Sequence, residues 1–311
     1  MMKAGLMKQY IVDENVKFVY KDASDFYDYY KVYFGYVHND LYFRKSNDYL
    51  LDKAKWLDGG YFIYENEVLI GGVVLFQNYM TDLFVIPPYD NYGKLVNLTL
   101  VILERISVKN KVVAIDEIAD KYISYLENTN YDIKVNERWM FMISVTKKSI
   151  NNLPAGYIAK EVDEFEERVL AKLLEQVYSG NQFSEEFYTA EEFLGNVQGQ
   201  VKYKENNRAI YDSSRVIVDI SSNEVVGMIL MMEDEGLPFI TDIVIDQNHQ
   251  KKGLGGYLLR HAQNTLYGIY PCIRLSVNAG NSAVSLYRKN GFVGDGILTN
   301  YILNFVSLRE E

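Results

Sequence analysis

Apolar residues in this chain fall mostly into short runs of strand length. The clearest set is at residues 215–220, 224–232 and 238–246, where Val, Ile and Met alternate with turns containing Ser-Ser-Asn and Asp-Glu-Gly. This pattern predicts three strands joined by hairpins. A helical pattern follows at 253–266, then a strand at 272–278, a helix at 281–290 and closing strands at 292–306. Upstream, residues 157–162 read as a strand, 164–178 as a helix and 184–195 as an acidic helical stretch. Strands alternating with helices, with hairpins at both ends, predict an α/β class with a mixed (α+β) sheet and helices on both faces.

The junction between 238–246 and 253–266 carries the most chemistry. An apolar strand runs into Gln250-Lys251-Lys252-Gly253-Leu254-Gly255-Gly256 and directly on into a helix. The first N–H groups of a helix have no intrahelical acceptor, and the helix dipole adds partial positive charge, so such a turn suits a phosphate. Glycine at 253 and 255 lets backbone approach a ligand, and Lys251 and Lys252 add charge. The spacing is neither that of a P-loop nor that of a dinucleotide fold.

The pattern also repeats. At an offset of 160, Met80-Thr81-Asp82-Leu83-Phe84-Val85 aligns with Ile240-Thr241-Asp242-Ile243-Val244-Ile245. Hairpin turns at Asn66-Glu67-Val68 and Asn223-Glu224-Val225 match, each followed by glycine (Gly71, Gly227). Helical patterns at 94–106 and 253–266 match, as do strands at 138–145 and 299–306. A duplicated domain of roughly 150 residues is predicted, with domains at 1–150 and 151–311 and a linker at 147–156, where Pro154-Ala155-Gly156 breaks the pattern. The first copy has Asp90 in place of Gln250 and Leu95 in place of Gly255. A carboxylate there repels phosphate and a leucine fills its space, so the first copy is expected to keep the fold without the anion site.

Composition narrows the functional classes. The net charge of −10 argues against general nucleic-acid binding. Residues 151–311 carry 14 basic and 22 acidic side chains, which reads either as a solvated surface or as a preference for a cationic acceptor. His38, His249, His261 and the single Cys272 form no ligand cluster, so no metal is expected and no intrachain disulfide can form. No apolar run is long enough to span a membrane and the first residues do not read as a signal peptide, so a cytoplasmic protein is expected.

Downstream of the loop, Leu275-Ser276-Val277-Asn278-Ala279-Gly280-Asn281 leads into a short helix bearing Tyr287, then Gly291-Phe292. The loop and this segment together resemble the GNAT superfamily of acyl-CoA-dependent N-acetyltransferases, over roughly residues 156–306. The resemblance implies two tandem GNAT-like folds, with acetyl-CoA as co-substrate of the second. Backbone groups of Ile243, Val244 and Ile245 would hold the pantetheine arm, and residues 250–256 the pyrophosphate. Asn278 and Asn281 would contact the cofactor, although Asn281 stands one residue closer to Tyr287 than the family spacing. Tyr287 would protonate the departing thiolate. Asp242 is the candidate base, with Glu233, Asp246 or a water as alternatives; Ser276 stands where some relatives carry a glutamate base. The implied activity is acetyl transfer to an amine of a small molecule or peptide by direct attack in a ternary complex. The rivals are a non-catalytic acyl-CoA-binding regulatory module and a transferase of longer or aminoacyl groups.

Overall fold

The computed structural model describes residues 6–35, 46–119, 123–129, 131–179, 189–294 and 296–305. It divides into two compact units, residues 1–140 with 296–311, and residues 141–295.

The first unit begins with β1 (Gln9–Ile11), β2 (Val16–Lys21), α1 (Ala23–Tyr30) and α2 (Asn47–Trp56). Then come β3 (Gly60–Glu65), β4 (Val68–Phe76), β5 (Tyr79–Val85), α3 (Tyr92–Ile106), β6 (Val113–Ala119) and α4 (Ile123–Glu127). Its last strand before the second unit is β7 (Asp132–Val145), which crosses the boundary: residues 132–140 belong here and 141–145 to the second unit. Strand alternation sorts the side chains onto two faces. Tyr61, Ile63, Val73 and Leu75 pack with α3, whereas Phe62, Val74 and Phe84 pack with α1 and α2.

The second unit continues with β8 (Tyr157–Lys160), α5 (Glu167–Tyr178), α6 (Ala190–Asn206), α7 (Arg208–Ser213), β9 (Arg215–Asp219), β10 (Val225–Asp234) and β11 (Leu237–Ile245). α8 (Leu254–Leu266), β12 (Cys272–Asn278) and α9 (Ala283–Lys289) complete it. The strand order is β7-β12-β11-β10-β9-β8. Val216, Met228, Leu230 and Val244 pack with α5 and α6; Ile217 and Ile229, at alternate positions, are equally buried, and α8 lies along β10 and β11.

The expected strands at 215–220, 224–232, 238–246 and 272–278 form within one or two residues of the predicted ends. The acidic helical stretch forms farther along, as α6; its expected start, 184–188, lies outside the described residues. The larger difference concerns the domain boundary. The last strand, β13 (Ile297–Asn304), expected in the second domain, sits in the first unit between β6 and β7. Its alternation fits either sheet, and it is the ladder that assigns it: Tyr301 opposes Ile115 on one side and Val135 on the other, and the Tyr301 side chain is buried in the first core.

The repeat is visible in the register. β5 and β6 pair in parallel only at Tyr79–Ala114 and Met80–Ile115, and β11 and β12 only at Phe239–Arg274 and Ile240–Leu275, each pair displaced by the same 160 residues. Beyond these pairs both couples splay apart. Each splay adjoins an irregularity in the neighbouring hairpin, between Gly72 and Val74 in the first unit and between Leu230 and Met231 in the second. At the second, the Thr241 hydroxyl donates to the Leu230 carbonyl at 3.1 Å, and Asp242 follows it.

Candidate active site

The site grows from that splay. From Asp242 to Ile245, β11 pairs with β10 on one side and has no ladder partner in β12 on the other. The backbone edge of Ile243, Val244 and Ile245 therefore faces an opening between strands, as an extended ligand arm requires. The Val244 side chain is spent on the core, so only its main chain serves the opening.

At the end of β11 the chain makes a short 3-10 turn and enters α8. The Asp246 carboxylate accepts from Asn248 N at 2.9 Å and caps the turn, a structural use of one base candidate. Gln250 turns its side chain back, Nε2 donating to Ile245 O at 3.2 Å, so it closes the loop. Lys251 (φ 60°) and Gly253 (φ 89°) are left-handed, and Gly253 is the N-cap of α8. With glycine at the cap no side chain satisfies the helix start, and the N–H groups of residues 251–256 meet no protein acceptor among the described residues. Lys251 and Lys252 are exposed and make no ion pair among the described residues. Leu254 is buried in the core and offers only its N–H.

Gly255 has a different reason from the one expected. A Cβ there would lie 2.9 Å from Leu286 Cδ2, so glycine lets α8 pack against α9. Gly256 is likewise crowded, by the Arg260 guanidinium at 3.0 Å. Gly255→Leu is therefore expected to displace α9 and lower thermal stability and CoA affinity together, measured by a melting curve and a titration on one preparation. Lost affinity at an unchanged melting temperature would return the glycine to a purely ligand-facing role.

The first unit closes both features. Its β5–α3 connection contains Pro87 and Pro88, which have no N–H, and the Asn91 side chain accepts from Lys94 N at 3.0 Å, capping α3. Leu95 is fully buried in the core. Across the β5–β6 splay the Lys53 ammonium bonds Asp82 Oδ1 at 3.0 Å and Glu117 Oε2 at 2.5 Å, tying the two strands together. At the same ladder positions the second unit has Asp242 and the apolar Val277, with no bridging cation among the described residues.

Asp242 lies on the splayed part of β11, and Tyr287 of α9 is near enough to feel its charge. Tyr287 is 7 % exposed, packs edge-on against Phe292 with centroids 5.9 Å apart, and its hydroxyl has no protein partner among the described residues. Burial, then the nearby Asp242 charge, pushes its phenol up to about 12. Asp242 is 5 % exposed and raised above the ordinary carboxylate range by burial. It accepts from Tyr178 OH (3.2 Å, Oδ1) and from Asn196 Nδ2 (3.5 Å, Oδ2). Tyr178 ends α5 and Asn196 lies on α6. Tyr30, likewise the last residue of α1, lies near Asp82 without hydrogen-bonding it, and Lys53 on α2 makes the bond to that carboxylate. Asp242 is thus held by the first two helices of its unit and Asp82 by a lysine of α2, contacts that sequence reasoning missed because the bonded residues lie 29 to 64 positions apart.

Of the asparagines, Asn281 uses Oδ1 to accept from Ala283 N at 2.8 Å, building the turn into α9, and its N–H donates to Asn278 O at 3.0 Å. Glu233, the other base candidate, lies at the far end of β10 among neutral donors.

Comparison with known proteins places this architecture in a class. Residues 161–299 match the family described as Acetyltransferase (GNAT) domain. Residues 161–299 thus carry a GNAT acetyltransferase domain, and the N-terminal half adds a second GNAT-like fold. A GCN5-related N-acetyltransferase from Sphaerobacter thermophilus superposes with a TM-score of 0.68 at 15 % identity, covering 92 % of this chain and 95 % of that one. A tandem GNAT protein from the clavulanic acid biosynthesis pathway gives 0.52 at 11 %, covering 94 % and 99 %. An acetyltransferase of the GNAT family from Colwellia psychrerythraea gives 0.51 at 12 %, covering 93 % and 99 %. A search of curated proteins found no match. Among the described residues no helix is long and apolar enough to cross a membrane.

Proposed function

We propose that the second unit transfers the acetyl group of acetyl-CoA to an amine, by direct attack with both substrates bound, and that the first unit binds no CoA. The observation that carries this reading is the pairing of an opened β11–β12 edge with an uncapped, glycine-started α8. Residues 251–256 would hold the pyrophosphate through main-chain N–H groups, with Lys251 and Lys252 adding charge. Ile243–Ile245 main chain would hold the pantetheine arm. Acetyl-CoA, when bound, supplies an activated thioester; the amine nitrogen forms the new bond as the C–S bond breaks.

Two protons must then be managed. The amine loses one, and Asp242, buried beside the splay with its affinity for protons raised, is the group to receive it. The leaving sulfur needs a donor. At about 12 the Tyr287 phenol stays protonated at neutral pH. Handing its proton completely to a thiolate of ordinary affinity would cost about 5 kcal/mol. Its role is therefore to donate a hydrogen bond to sulfur as negative charge develops.

The test is a thiol-release assay on the full chain with acetyl-CoA and a panel of polyamines, amino sugars, amino acids and peptides, products checked by mass spectrometry. Amine-dependent release with an acetylated product is expected. CoA binding with no amine-dependent release from any acceptor would favour a non-catalytic acyl-CoA-binding module. Calorimetry should give one CoA per chain, because Asn91, Pro87, Pro88 and the Lys53 bridge close the first site. A stoichiometry of two would overturn that part of the reading.

A further inference from the structure

Glu233 is a half-buried carboxylate whose charge no cation answers among the described residues. Its Oε2 accepts from Asn207 Nδ2 at 2.7 Å and from Tyr270 OH at 2.9 Å, and its own N–H donates to Tyr203 OH at 3.1 Å. All of these groups are neutral. Among the described residues no Lys, Arg or His lies within ion-pair distance of it, and no donor reaches Oε1. Nearby carboxylates are treated otherwise: Asp234 is paired with Arg274 at 2.9 Å, Asp212 with Arg208 at 2.8 Å, and Asp163 with Lys204. A carboxylate partly removed from water is costly unless a cation comes to it.

Its position relates it to the reacting centre. Along β10, Glu233 is three residues from Leu230, which opposes Asp242, so the backbone positions of the two acids stand roughly 10 Å apart by strand geometry. One helix serves both: Asn196 of α6 reaches Asp242, and Tyr203 of α6 with Asn207 at its end reach Glu233. In the first unit the carboxylate beside the splay already has an ammonium, Lys53. In the second, both Asp242 and Glu233 have only neutral donors among the described residues.

Resting on the transfer reading above, we infer that the acceptor is a linear diamine or polyamine. One amine reaches the splay at Asp242, and a second cationic group about 10 Å away binds Glu233, beside the phenols of Tyr203 and Tyr270. The acidity of residues 151–311 acts in the same direction.

The experiment is calorimetric titration of the full chain with spermidine, and with the amino alcohol of matching length, with and without CoA. Wild type is expected to prefer spermidine, with the preference falling as salt is raised. Glu233→Gln should bind spermidine about 10-fold more weakly, the scale of one lost charged hydrogen bond, while amino-alcohol affinity stays unchanged. Equal affinity of wild type for the two compounds, or unchanged spermidine binding by a folded Glu233→Gln, overturns the inference. The wild-type comparison decides it even if the variant misfolds. CoA is titrated separately: if CoA binds and no diamine preference exists, only this inference fails, and if CoA does not bind, the transfer reading fails while the diamine result stands by itself.

Discussion

Replacing Tyr287 with Phe is expected to lower kcat by about 10- to 100-fold, the worth of one hydrogen bond to a charged group, while KM for acetyl-CoA changes little. The ring of Tyr287 is buried against Phe292 and would keep that contact, so the fold should survive. What disappears is a hydroxyl that has no protein partner among the described residues and that is proposed to meet the sulfur as it becomes negative. The binding step makes no demand on it, because charge appears only as the C–S bond breaks. Burial and Asp242 hold the phenol at about 12, so its ionisation should not shape the rate between pH 6 and 9 in wild type. Steady-state kinetics with an identified acceptor is the check. Wild-type turnover by the variant would make Tyr287 a packing residue; a loss confined to KM would mean that it binds the substrate before reaction.

The largest effect on stability is expected at Lys53. Lys53→Met should cost about 3–5 kcal/mol, because it leaves the buried Asp82 without its counter-charge. Glu117 contributes less to this loss, since it is partly exposed and can turn to water. Both acids it bridges sit on left-handed backbone, Asp82 at φ 57° and Glu117 at φ 53°, so the ammonium also holds two strained residues in place. The pH dependence has a definite sign. Burial raises Asp82 above its unfolded value even with Lys53 present. The native state therefore binds its proton more readily, and this group's contribution is lost as pH rises through the folded value. Removing Lys53 moves that value higher still. The deficit of Lys53→Met should be smaller at pH 5 than at pH 8, by chemical denaturation. A deficit independent of pH would show that packing of the lysine stem, rather than charge, is what matters. CoA binding by the second unit should be unaffected.

Much of this arrangement was legible in the sequence because it is local. The strand–loop–helix around residues 238–266 announces itself by a change of period and two glycines, and the 160-residue offset reappears unchanged in the parallel ladders of both units. What escaped was set by distance along the chain. Tyr178 and Asn196 meet Asp242, and Tyr30 and Lys53 meet Asp82, only once helices fold over the sheet. α6 was placed too early because Gly195 and Gly199 and a polar run weaken its pattern; its buried face is narrow, with Phe193, Val197 and Gln200. Gly255 was read as room for phosphate, whereas its neighbour is Leu286, 31 residues on in sequence. The end of the chain reads equally well as a strand of either half, and no local signal names its partner.

That last strand constrains how the protein can be made. A ribosome delivers residues 1–140 first, yet their sheet lacks the piece that lies between β6 and β7 until residues 297–304 emerge. Until then β6 and residues 132–140 have open edges that could pair wrongly. The second unit, residues 141–295, is contiguous in sequence and can close earlier. Synthesis order and completion order are therefore reversed, and the N-terminal half matures last. A stop codon at position 297 would spare every group proposed to act on substrate and still leave the other half of the molecule without β13.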